Sequence, residues 1–131
     1  MPEPIETPST PPLGPYSVAV RAGDWIVCAG QIGVDPATGE LAGPALGDQV
    51  RQALANTEAV LSQCGCGWEH VAKVTLFVAV ESPKLMPEVN AIYGNFGNPP
   101  LQPPPTWSRP AIPPLASGGG DRRILVQRHL P

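Results

Sequence analysis

Charge is scarce in this sequence. Only 15% of the 131 residues are charged, against 42% hydrophobic, and the formal net charge is −3. A chain with so little charge must expose apolar surface or cover it with another subunit, which points to an oligomer. Basic residues are few and scattered apart from Arg122–Arg123, and no aromatic platform alternates with them. That gives no electrostatic reason to expect nucleic acid as a partner. Long hydrophobic runs are missing too. None reaches the ~20 residues a membrane helix needs, so no membrane partner is expected. The opening "MPEPIETPSTPPLGPY" has neither the basic region nor the apolar stretch of a signal peptide. The chain reads as cytoplasmic.

Metal-ligating residues are equally thin. There are three cysteines, Cys28 alone and Cys64 with Cys66 as C-x-C, and two histidines, His70 and His129. An odd count argues against a disulfide framework, and C-x-C lacks the spacing of the common zinc and redox motifs. The cysteines read as small buried thiols, and no metal or cofactor is expected.

Proline is what the sequence has in excess, 19 in all, with six in residues 2–15 and eight in residues 99–114. The segment between is well patterned. The chain therefore reads as one domain over residues 13–131, preceded by a mobile arm at 1–12 and interrupted by one proline-stiffened loop.

Periodicity defines the elements. Ser17–Arg21 and Trp25–Ile32 are β-rich around a break at Ala22–Asp24, which makes a hairpin. "DPATGE" (35–40) is a turn, with Gly39 supplying a positive φ. Leu46, Val50, Ala53, Leu54, Thr57, Val60, Leu61 and Cys64 then recur at helical spacing, and Gly65 is a natural stop. Asp48, Gln49, Gln52 and Asn56 are expected on the solvated side of that helix. "HVAKVTLFVAV" (70–80) is the strongest strand. Alternation puts Val71, Lys73, Thr75 and Phe77 on one face, and Ala72, Val74 and Leu76 on the other. Ser82-Pro83 opens a second helical pattern through Val89, Ile92, Tyr93 and Phe96, and because Pro87 fits only a first turn the helix itself can begin as late as Leu85 or Met86. Trp107–Ile112 reads as a short edge strand and Arg123–Arg128 as the last strand. The order β-β-α-β-α-β-β predicts an α+β sandwich, a mixed β-sheet with two helices packed on one face.

"GPYSVAV" (14–20), "AGQIGVDPATGE" (29–40), "AVLSQCGCGWEHVAKVTLFV" (59–78) and "VNAIYGNF" (89–96) resemble the Rid family, the reactive-intermediate (imine) deaminases also called YjgF-like proteins. The resemblance covers residues 13–96 without a gap. It implies a chorismate-mutase-like fold and a homotrimer with small-molecule clefts between subunits. It also implies cofactor-free hydrolysis of 2-imino and 2-enamino acids to 2-keto acids and ammonia. In such a site an arginine fork holds the substrate carboxylate, a glutamate aligns the attacking water, and a tyrosine from the neighbouring subunit helps close the pocket. A ribonuclease label also attaches to the family, and this acidic sequence gives it no physical support.

Carried over residue by residue, the resemblance matches Tyr16 to the pocket tyrosine, Gly30 to the pocket glycine and Asn90 to the asparagine of the second helix. Ala29 stands where the common pattern has serine. The Pro-Ala-Arg-Ser signature falls on Pro105–Ser108, so Trp107 replaces the substrate arginine, and Gln127 in "RILVQR" replaces the catalytic glutamate. Both chemically decisive residues are changed. Arg109, two residues from Trp107, is either a displaced carboxylate clamp or an exposed arginine beside Pro110. Trp107 is either an aromatic floor for a larger, flatter ligand or packing at a subunit interface. Gln127 can orient water but cannot take its proton; His129 could titrate but reads as exposed, and Glu81 and Glu88 read as surface charges. Three functions follow: an enzyme refitted from imine hydrolysis, in a specialised biosynthetic setting; a deaminase using Arg109 and another water-activating group; and a non-catalytic trimer that binds a small molecule or a partner protein.

Overall fold

A computed structural model describes residues 2–12, 14–77, 86–95, 105–108 and 123–129, the last two segments by their backbone. The strands are β1 (Glu3–Ile5), β2 (Ala19–Ala22), β3 (Trp25–Cys28), β4 (Val71–Phe77), β5 (Pro105–Ser108) and β6 (Arg123–His129). They form one six-stranded sheet in the order β1-β2-β3-β6-β4-β5. All pairings are antiparallel except β4 with β5, so the sheet is mixed, as expected. The helices are α1 (Leu46–Gln63) and α2 (Met86–Gly94), the latter with Pro87 in its first turn.

The apolar stripe of α1 does what its spacing predicts. Leu46, Val50, Ala53, Leu54, Thr57, Val60 and Leu61 are all buried. They share one core with Val18, Ala19, Ile26 and Cys28 from the hairpin, Val71 and Val74 from β4, and Val89, Ile92 and Tyr93 from α2. The helix stops at Gly65, whose φ of 73° suits a residue without Cβ. There Cys66 N–H donates to Leu61 O at 2.8 Å and Gly65 N–H to Ser62 O at 3.0 Å, the double closure of a Schellman cap. A short 3-10 turn, Trp68–His70, follows. It buries Trp68, whose indole N–H donates to the Glu58 carboxylate at 3.1 Å.

Four expectations need correction. Strict alternation along β4 fails at its start, because a register shift between Val71 and Lys73 inserts Ala72 as an extra residue. Val71 and Val74, placed on opposite faces by alternation, are therefore both in the core and Ala72 is exposed. Strand β3 ends at Cys28 rather than Ile32, since the chain beyond it folds onto α1. Of the cysteines only Cys28 is fully buried; Cys64 and Cys66 are half-buried at the helix end. The N-terminal segment, expected as an arm outside the body, contributes β1, with Glu3, Pro4 and Ile5 paired to Arg21, Val20 and Ala19. Pro4 is tolerated because β1 is the sheet's edge. Gln63 then clasps the following turn, accepting from Ser9 N–H and donating to Thr10 Oγ1, each at 2.9 Å.

Leu54 is wholly buried at the centre of α1, whereas its neighbour Ala55 is exposed. Leu54→Ala is expected to lower unfolding free energy by about 2–5 kcal/mol, and Ala55→Ser to change it by less than about 1 kcal/mol. Urea titration at one fixed protomer concentration checks both values.

Candidate functional site

Strands β3 and β4 both run antiparallel to β6, and β5 runs parallel to β4, so β3, β4 and β5 share one direction. Their C-terminal ends meet at one end of the sheet, where Ala29 and Gly30 leave β3. Ala29 N–H donates to Val18 O at 2.7 Å, which extends the hairpin pairing beyond the strands themselves. Two residues before Val18 stands Tyr16, 47% exposed, its own N–H turned back onto Gly14 O at 2.8 Å. Its ring passes 3.1 Å from where a Cβ on Gly14 would be, so the Gly-Pro-Tyr sequence folds the tyrosine back over the glycine. Tyr16, Ala29 and Gly30 thus gather at the open end of the β2–β3 hairpin.

Trp107 is the register partner of Leu76 across the parallel β4–β5 pair. Gln127, on β6, is paired with Val27 on one side and Lys73 on the other. The two candidates therefore flank β4, offset by the three-residue step from Lys73 to Leu76. Strand geometry makes that about 10 Å along the sheet and about 10 Å across it. Within one chain their backbones are not adjacent. Asn90 lies on the exposed side of α2, opposite the buried Val89, Ile92 and Tyr93. Glu88 is exposed too. Arg109 follows the last residue of β5 and lies outside the described residues, as do Glu81 and the proline-rich loop. His129 ends β6 opposite Trp25.

The sheet face away from the helices carries partly exposed apolar side chains. Trp25 is 45% exposed and Val27 38%, while the alternate residues Ile26 and Cys28 are buried against the helices. Among the described residues no three His, Cys, Asp or Glu side chains cluster as metal ligands, and no helix is long and apolar enough to cross a membrane.

A polar group that the sequence reading left on the solvated side of α1 is instead built into the fold. Gln49 is 1% exposed and donates its amide to Gly43 O at 2.9 Å. Asn56 is half-buried and donates to two backbone carbonyls, Ile32 O at 3.0 Å and Val34 O at 2.8 Å. Gln52 donates to Asn56 Oδ1 at 2.9 Å. Gly33, between those two carbonyls, lies so close to α1 that a Cβ there would come within 2.6 Å of Gln49 O. The missed signal was spacing. Gln49, Gln52 and Asn56 recur at three and four residues, a second stripe beside the apolar one.

Comparison with known proteins agrees with this architecture. Residues 7–117 match the family described as endoribonuclease L-PSP. A RutC family protein of Synechocystis is 42% identical over 94 residues, 70% of this chain and 71% of that one. A protein of Dermatophagoides farinae named 2-iminobutanoate/2-iminopropanoate deaminase is 39% identical over 75 residues, 56% of this chain and 59% of that one. The crystal structure of YyfA from Yersinia pestis, described as a conserved Rid protein of unknown function, superposes with a TM-score of 0.84 at 29% identity, covering 99% of this chain and 100% of that one. The fold is the chorismate-mutase-like α+β fold. The chain belongs to the Rid, or YjgF-like, family.

Proposed function

We propose that this protein is a homotrimer with a small-molecule site in each cleft between subunits, and that the site is a Rid cleft refitted away from ordinary imine hydrolysis. The observation that carries the reading is the residue at position 127. The family resemblance aligns it with a catalytic glutamate, and it is a glutamine on a strand paired on both sides. A carboxylate can take a proton from the attacking water; an amide can only orient that water by hydrogen bonds. Loss of a general base costs ~10²–10⁴-fold in rate.

In this reading the substrate enters beside Trp107, whose ring gives a flat apolar floor. Arg109 holds its carboxylate, displaced by one pleat from the family's usual arginine. Gln127 points a water, or a ligand carbonyl, by hydrogen bonding. Tyr16, Asn90 and the backbone at Ala29–Gly30 complete the wall, with Tyr16 supplied by the neighbouring subunit. The offset of Trp107 from Gln127 within one chain supports a site that needs two chains. So does the apolar face at Trp25 and Val27, which a second subunit would cover. The deaminase named among the relatives supports a second reading, in which Arg109 and another water-activating group keep the original reaction.

Three measurements test this. In sedimentation velocity the protein is expected to run as a trimer, and Trp25→Glu to dissociate it; a monomer at micromolar concentration refutes the shared cleft. With 2-iminopropanoate generated in situ, hydrolysis is expected at least ~100-fold below that of an active Rid deaminase at equal site concentration. A rate within about tenfold, a barrier difference of only ~1.4 kcal/mol, establishes the deaminase instead. Arg109→Ala is expected to abolish pyruvate binding by calorimetry, and unchanged affinity removes Arg109 from the site.

A further inference from the structure

We propose that Asn56 is the positioning residue that fixes the Ala29–Val34 backbone against α1 and so sets the wall of the cleft. The inference rests on the reading above that Ala29 and Gly30 line that cleft.

The segment is held at both ends. Ala29 N–H is bound to Val18 O at 2.7 Å. Three residues on, every carbonyl of the Ile32–Val34 turn is occupied. Ile32 O accepts from Val34 N–H at 2.8 Å and from the Asn56 amide, Gly33 O accepts from Ala42 N–H at 2.8 Å, and Val34 O accepts from the Asn56 amide. Only Gly30 and Gln31 lie between the two attachments, so their peptide planes have little room to rotate. The amide is itself oriented: Gln52 occupies Asn56 Oδ1, which leaves the NH₂ facing the loop. Gly33 allows the contact, because a Cβ would collide with the Gln49 backbone at 2.6 Å. A side chain that must donate twice and accept once at this place is an amide and not a carboxylate.

Asn56→Asp keeps the shape and reverses the hydrogen-bonding sense, placing a carboxylate against two carbonyl oxygens. The charged form is disfavoured there, so the new carboxyl has a folded-state pKa above its usual ~3.9. Below that raised pKa it is protonated and can donate one O–H to one carbonyl. The defect is therefore least at low pH and grows as pH rises through the raised value. Asparagine does not titrate, and the nearby loop carboxylates Asp35 and Glu40 are common to both proteins, so the wild type is the control.

The test compares wild type, Asn56→Asp and Gln52→Ala as full chains, by amide hydrogen exchange and by pyruvate calorimetry at pH 8 and pH 5. Asn56→Asp is expected to lower protection of the 29–34 amides about tenfold at pH 8, with partial recovery at pH 5, and to weaken pyruvate binding about tenfold at pH 8. Gln52→Ala, which leaves the pin but not its orientation, is expected to lose about threefold in both without added pH dependence. It decides the matter if the aspartate variant does not fold. Unchanged protection at 29–34 in a cooperatively folded variant overturns the pin. Loosened amides with unchanged pyruvate affinity overturn the positioning role. If wild type binds no pyruvate, the carboxylate cleft fails, and the exchange result still decides whether Asn56 holds the segment.

Discussion

Leu54, Leu61, Val50 and Val60 of α1 share one core with Ile26, Cys28, Val71 and Val74 of the sheet, and the site-bearing segments among the described residues are arranged around it. In proteins most helical stability comes from packing an amphipathic face rather than from propensity, and the covered apolar stripe supplies it for α1. Each fully buried aliphatic side chain contributes on the order of 1.5–3 kcal/mol, well above the net value of about 1 kcal/mol for a typical hydrogen bond. Burial therefore decides where α1 lies. The hydrogen bonds decide what is fastened to it.

What is fastened is specific. On one flank of the buried stripe, Gln49 and Asn56 bind the carbonyls of Gly43, Ile32 and Val34. At the C-terminal end, Gln63 grips Ser9 and Thr10, and so the segment that runs on to Tyr16. One helix thereby registers both stretches that meet at the open end of the β2–β3 hairpin. Neutral amides suit the task because they donate and accept at once. A charged group half-buried there would carry a desolvation cost that a neutral amide avoids.

Features governed by local chemistry were legible in the sequence. The 3.6-residue period of α1, the positive φ at Gly39, the helix stop at Gly65 and the place of Pro87 in the first turn of α2 each follow from what neighbouring residues permit. Features that depend on a distant partner were not. Nothing local marks Ala72 as an extra residue, because the shift exists only against β6. Strand β1 needs β2 beside it, and Pro4 argued against it. Asn56 reads as solvated until the loop 22 residues before it folds back. Residue identities at the candidate site came from the family resemblance, whereas the offset of Trp107 from Gln127 is a property of sheet register alone.

That register is also compatible with the proposed refitting of the site on a Rid scaffold. β6 is bound to β3 and β4 through backbone groups, which glutamine and glutamate supply identically. The same holds for Trp107 in its pairing with β4. Strand pairing thus places no demand on which residue stands at 107 or 127. The reaction places a strong one: without a base, ~10²–10⁴-fold in rate is ~3–5 kcal/mol of barrier. Selection on the fold and selection on the chemistry act on separate atoms, so an intact Gly-Pro-Tyr turn and an intact α1 report on the scaffold only. The residues that report on function are those whose side chains the sheet does not use.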